Sequence, residues 1–211
     1  IQTFKLAVKT IAKRHGLHGT FMPKPKAGEN GSGMHINMSL TKNGKNIFSN
    51  PKDEFGLSDE AYCFLGGIEK HLKGITAITN PLVNSYKRLQ SNPKRIFMIP
   101  KDGGERARLE LRSPDPAANP YLALAVCLMA GINGIEEGLN TNKNTMASKT
   151  TVADLPKNLE EAIRAFKRDS LIKATLGEEL HRKYTEVKAK EWNSYCSQIT
   201  NWEIEQYLDK Y

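Results

Sequence analysis

Two short segments carry the residues most able to do chemistry. From Met34 to Leu40 apolar and polar residues alternate, so that Met34, Ile36, Met38 and Leu40 point one way while His35, Asn37 and Ser39 point the other. From Arg106 to Arg112 the pattern repeats, with Ala107, Leu109 and Leu111 on one side and Arg106, Arg108, Glu110 and Arg112 on the other. An imidazole and a carboxylate can share a divalent cation, and neighbouring guanidinium groups can hold phosphate or carboxylate oxygens bidentately. Together they outline an anion-plus-metal site suited to phosphoryl transfer, where a protein chiefly positions groups and neutralises charge. From alternation alone the plainer reading is a solvated charge ladder with a structural histidine. The glycine-rich run Gly28-Glu29-Asn30-Gly31-Ser32-Gly33 could bring backbone N–H groups to an anion, or could simply turn. It is neither a P-loop nor a G-x-G-x-x-G opening a helix. Serine and cysteine hydrolase chemistry finds only isolated residues.

The elements that must hold these residues can be read in outline. An opening amphipathic helix should end at Gly16, its stripe Ile1, Phe4, Val8 and Ile11 facing a core. Asn43-Gly44 predicts a hairpin after the first alternating strand, with Ile47 and Phe48 in the returning strand. Ser58 is placed to cap a helix with the stripe Tyr62, Leu65, Ile68, Leu72 and Ile75, ending near Thr79 because Asn80-Pro81 discourages more. A strand over Arg95 to Ile99 precedes the turn Asp102-Gly103-Gly104 and the second alternating strand. Asn119-Pro120 opens a nearly all-apolar helix, which implies burial on most sides. Asn140 to Val152 reads as an exposed connection, and the rest as helix: Leu159, Ile163 and Phe166 in one stripe, Leu176, Leu180, Tyr184 and Val187 in another, and a closing segment from Trp202 to Tyr207. Strands first and helices after predict an α+β fold, an antiparallel sheet packed with helices and a helix-rich C-terminal half. One sheet face could stay open, presenting the two polar rows together.

Composition narrows the class. The chain has 211 residues, 39% hydrophobic and 26% charged, which fits a globular fold of one large domain or two small ones. Its longest apolar run, Tyr121 to Ile132, falls short of the about 20 residues a membrane span needs. Three cysteines without C-x-x-C spacing fit a reducing, cytoplasmic setting. The net charge of +8 makes nucleic acid a rival partner, but acidic residues interleave with the basic ones along Arg164 to Lys190, as on a solvated helix face. The basic first helix could imitate a transit peptide, although its stripe reads as an ordinary helix face. The chain opens on Ile rather than Met, which points to residues removed upstream.

Four ordered runs then decide between the readings: Thr20-Phe21-Met22-Pro23-Lys24-Pro25; Asn30-Gly31-Ser32-Gly33-Met34-His35; Asn80-Pro81 through Asn84-Ser85-Tyr86-Lys87-Arg88-Leu89; and Arg112-Ser113-Pro114-Asp115-Pro116 through Ala123. The sequence resembles bacterial type I glutamine synthetase, and residues 1–211 resemble the C-terminal part of that enzyme's catalytic domain. The resemblance implies ATP- and Mg-dependent (or Mn-dependent) ligation of ammonia to glutamate through a γ-glutamyl phosphate, in a cytoplasmic homo-oligomer, a dodecamer of two hexameric rings. It implies His35 and Glu110 as ligands of the metal bridging the phosphates of ATP. Asn30 and Gly31 fall in the glutamate-binding loop, and Arg88 and Arg112 match the arginines, counted as catalytic, that hold the glutamate carboxylates. Asn37 and Ser39 fall at ATP contacts, and Arg108 near the nucleotide-binding basic cluster.

The chain also departs from that pattern. The family's flap of the form V-P-G-Y-E-A-P, whose glutamate takes a proton from ammonium, has no counterpart after Leu89, where the chain is roughly a dozen residues shorter by its flanking motifs. The family's phosphate-binding arginine falls at Pro93, so that Lys94 or Arg95 could replace it only by a shift in register. The upstream β-grasp domain and upstream metal-binding glutamates are absent from these residues, and Asn140 to Val152 contains no tyrosine to accept adenylylation. The expectation is therefore a synthetase-type ligase whose isolated 211 residues make little or no glutamine. A non-catalytic assembly or regulatory paralog is the alternative, and a basic nucleic-acid-binding module a weaker one.

Overall fold

The structure is a computed structural model that describes residues 1–91, 96–100, 103–139 and 151–211. Helix α1 (Gln2–Arg14) leads through a long loop to strand β1 (Ile36–Met38) and the hairpin β2 (Thr41–Lys42) and β3 (Lys45–Asn46). Helices α2 (Asp59–Thr79) and α3 (Val83–Gln90) precede β4 (Phe97–Met98) and β5 (Leu109–Leu111). Among the described residues five α-helices follow: α4 (Pro120–Glu136), α5 (Leu159–Arg168), α6 (Ser170–Leu176), α7 (Glu178–Cys196) and α8 (Asn201–Tyr207). This is the α+β arrangement expected, with a three-stranded antiparallel sheet in the order β1-β5-β4.

Local chemistry explains most boundaries. The hairpin turns at Asn43 and Gly44, both at positive φ as a type I′ turn needs, and Ile47 N–H bonds back to Leu40. Ser58 Oγ accepts from Ala61 N at the start of α2, and Asn119 Oδ1 accepts from Tyr121 N and Leu122 N at the start of α4. Helix α2 is the spine of the core, with Tyr62, Leu65, Ile68, Leu72 and Ile75 all buried. It packs on α4 at backbone distance: a Cβ at Gly67 would lie 2.0 Å from Ala130 O, and one at Gly134 2.1 Å from Cys63 O. Buried His71 ties α2 to two neighbours, its Nδ1 lying 2.7 Å from Asp169 Oδ2 and its Nε2 3.3 Å from Asn133 Oδ1.

Several expectations need correction. Helix α1 ends before Gly16 as expected, but none of its residues is buried. Phe4 meets the ring of Phe21 edge on but stays exposed, so among the described residues amphipathic spacing gave an apolar side that no element buries. Helix α4 is buried on its small-residue side alone, through Ala123, Val126, Cys127, Ala130 and Gly134, because small residues are what close packing against α2 requires. Tyr121 stays 72% exposed and Leu124 51%. The stripe from Leu176 to Val187 is broken by Gly177 at φ +77°, which puts Leu176 on α6 and leaves Leu180 and Val187 exposed on α7. The strands are also shorter than their alternation, and Arg106 sits in a 3-10 turn (Gly104–Arg106) rather than on β5. Arg95, Asp102 and residues 140–150 of the expected connection lie outside the described residues.

Candidate functional site

The antiparallel register sets Ile36 opposite Leu111, Asn37 opposite Glu110 and Met38 opposite Leu109. With Leu109 and Leu111 fixed in the core, the pleat turns Glu110 and Arg112 to the other face, beside the polar residues of β1. His35 Nδ1 lies 2.6 Å from Glu110 Oε1, and Arg108 Nε donates to Asn37 Oδ1 at 3.1 Å. The two polar rows therefore meet as their alternation predicts. Arg106 contributes its carbonyl, which accepts from Arg108 Nη1 at 3.1 Å.

Beside this face lies a cavity of about 350 Å³, whose walls include Asn30, Gly31, His35, Arg88 and Arg112. Five candidates separated by as many as 82 positions in the chain thus converge on one space. Arg88 reaches it from α3, half-buried, its Nη1 donating to Ser113 O at 2.7 Å. Burial pushes its pKa down, opposed by the charge of nearby Asp115. Asp115 is fully buried and accepts from Asn80 Nδ2 at 3.1 Å and Ala117 N at 2.9 Å. Burial raises its pKa, and hydrogen bonds from Ser85, Ala117 and Asn80 and the charge of Arg88 hold the rise back. Asn80 Nδ2 also donates to Ser113 O at 2.9 Å, so the segment after β5 is anchored to the end of α2 and Arg112 is delivered to the cavity from a fixed backbone. Arg112 N–H itself bonds Ile96 O at 2.7 Å.

Asn37 and Ser39 do not join that cavity. They face a separate groove of about 280 Å³ between β1 and α4, with Phe64, Leu124, Cys127 and Leu128 on its apolar side. His35 lines the first cavity, and with Asn37 a further small pocket against Pro120 and Ala123 of α4. Among the described residues no third His, Cys, Asp or Glu joins His35 and Glu110. One imidazole nitrogen and one carboxylate oxygen fit part of the coordination of a divalent cation whose remaining positions are filled by phosphate oxygens or water.

Three residues at this site stand in runs the sequence singled out but were given no role of their own. Lys24 and Glu29 line the cavity. Asn84 holds the loop that forms its wall: Asn84 Oδ1 accepts from Lys24 N at 2.7 Å, and its Nδ2 donates to Lys24 O at 2.9 Å. Its position one helical turn before Arg88 is the signal that could have found it.

The sequence matches the profile described as "Glutamine synthetase, catalytic domain" over residues 1–207. The chain belongs to the glutamine synthetase catalytic-domain family. It is 45% identical to the glutamine synthetase of Clostridium saccharobutylicum and 44% to that of Staphylococcus aureus strain MW2, with all of the chain matched and 53% and 52% of those proteins. The chain therefore spans about half the length of the curated glutamine synthetases it matches. Both alignments run over 234 positions against the 211 residues of the chain, so these relatives carry at least 23 positions with no counterpart here. Among solved structures, the fold is similar to "Apo GmaS without ligand", with a TM-score of 0.86 and 41% identity over 98% of this chain and 52% of that one. A GmaS/ADP complex gives 0.84 and 39% over 98% and 53%.

Proposed function

We propose that residues 1–211 are the C-terminal part of a glutamine synthetase catalytic domain. On this reading they serve an ATP- and Mg-dependent (or Mn-dependent) ligation of ammonia to L-glutamate through a γ-glutamyl phosphate. The reading is carried by the convergence of Asn30, Gly31, Arg88 and Arg112 on the cavity that His35 and Glu110 border. Arg112, with Arg88 behind it, would receive the glutamate carboxylates, and the Asn30–Gly31 backbone would orient the amino-acid end. His35 and Glu110 would hold the metal on the phosphate side. A metal bound there neutralises charge on the phosphoryl oxygens in transit. Asn37, Ser39 and Arg108 would contact the nucleotide from the groove beside α4, a role supported by likeness to a structure described as an ADP complex. The full enzyme would be a cytoplasmic homo-oligomer, a dodecamer in the type I form. No helix among the described residues is long and apolar enough to cross a membrane.

The isolated chain is expected to bind nucleotide weakly and to make little or no glutamine, since it supplies one His–Glu ligand pair and no counterpart of the flap glutamate. Isothermal titration of Mg-ATP into the chain, repeated with His35→Ala and Glu110→Ala, tests the metal-nucleotide site. Binding weakened about tenfold or more in both variants supports it; parent-like binding in both overturns the assignment of His35 and Glu110. Robust glutamine formation by the purified chain would refute its expected inactivity. The 23 or more missing positions also favour a second reading, a non-catalytic paralog that keeps the fold and assembles with a full-length synthetase. Co-purification with such a synthetase would support it, and failure to associate on mixing would dismiss it.

A further inference from the structure

The loop from Thr20 to Gly33 carries the amino-acid end of the cavity but contains no regular element to hold its shape. We propose that Asn84 is the positioning residue that sets this loop, and through it the affinity for glutamate. This inference rests in part on the glutamate assignment above, while the loop geometry stands independently of it.

Asn84 spends both polar ends of its carboxamide on one residue, accepting from Lys24 N and donating to Lys24 O. That is the pattern of a strand partner, supplied by a side chain from a helix. Lys24 follows Pro23, which is buried and has no N–H; Pro23 O accepts from Ser32 N at 2.9 Å. A Cβ added at Gly31 would lie 2.4 Å from the same carbonyl, so the start and end of the loop touch there. Lys24 Nζ also donates to Glu29 O. The line of contact therefore runs from Asn84 through Lys24 and Pro23 to Gly31 and Ser32. Arg88, one turn further along α3, closes the other side: its Cγ would lie 3.0 Å from a Cβ at Gly31, and its Nη2 2.7 Å from one at Gly33. Asn84 does not itself line the cavity, so its influence passes through the loop. It makes no contact with His35, Asn37 or Glu110, so the nucleotide side should not feel its loss.

Amide hydrogen exchange and isothermal titration on the parent, Asn84→Ala and Asn84→Asp test this. In Asn84→Ala the amides of Lys24 and Ser32 should exchange about tenfold faster or more, as expected when a net hydrogen bond is lost. Glutamate affinity should fall by a similar factor while Mg-ATP affinity holds. Asn84→Asp keeps the acceptor but cannot donate to Lys24 O, and should restore part of the Lys24 protection. Unchanged Ser32 exchange in Asn84→Ala overturns the clamp. Equal loss of glutamate and Mg-ATP affinity also overturns it, since that marks general loosening. If the parent takes up no glutamate, the glutamate assignment fails while exchange at Ser32 still decides for or against the clamp.

Discussion

At Asp115 a carboxyl group fully removed from water is held by Asn80, Ala117 N–H and the nearby Arg88 charge, yet burial still leaves its pKa raised. The native state therefore binds its proton more tightly than the unfolded chain does. Its contribution to stability is greatest below the unfolded value and is lost as pH rises through the raised native one. Asp115→Asn removes that dependence, so the difference in unfolding free energy between parent and variant should slope with pH from the ordinary carboxylate range upward. Urea unfolding at a series of pH values reads it, and parallel curves would show that the native carboxyl titrates normally. Near Asp115, Tyr86 is buried with no partner for its hydroxyl among the described residues, and burial lifts its pKa well above the usual phenol range. Residue types at motif spacing were enough to bring His35 and Glu110 into view, because strand alternation has only two outcomes. Asn84 could be singled out only by its place one helical turn before Arg88; its bond to Lys24 was not legible, because a side-chain bond to backbone 60 positions away leaves no periodic trace.

Among the elements, the α2–α4 crossing is the tightest joint. Glycine inside a helix ordinarily costs about 1 kcal/mol against alanine, so Gly→Ala should stabilise. At Gly67 the sign should reverse, because the new methyl would lie 2.0 Å from Ala130 O and 2.7 Å from the backbone of Gly134. Forcing these helices apart should cost about 1 to 3 kcal/mol or more, measured as a lower urea midpoint for Gly67→Ala; a midpoint at or above the parent's would show the crossing to be looser. Sequence periodicity located both helices and the caps Ser58 and Asn119 fixed their starts. What it could not tell was which side of α4 is covered: Leu124 and Leu128 satisfy an apolar pattern as well as Val126 and Cys127 do. Only the demand for small residues at the crossing decides it.

Across the whole molecule, large apolar side chains stay exposed on α1, α4 and around α8, among them Phe4, Leu128, Ile199 and Trp202. Patches of this kind drive association in water. The chain should therefore self-associate as its concentration rises, and Leu124→Lys with Leu128→Lys should shift sedimentation velocity profiles toward a monomer. As surface changes they should alter stability by no more than about 0.5 kcal/mol each. An unchanged distribution of species would place the association elsewhere. The overall class was legible because strand-like and helix-like patterns segregate along the chain; the exposed faces were not, because periodicity describes one element and covering requires two.

Strand β5 has one more consequence. Glu110 and Arg112 lie on the same face of one extended backbone, two residues and about 7 Å apart. Side chains can swing, but the pleat beneath them cannot stretch. On the proposed reading, the spacing between the phosphate end and the carboxylate end of the substrate would thus be built into the main chain as a gauge. A single residue inserted between Glu110 and Arg112 would not lengthen that gauge; it would turn the arginine over into the core.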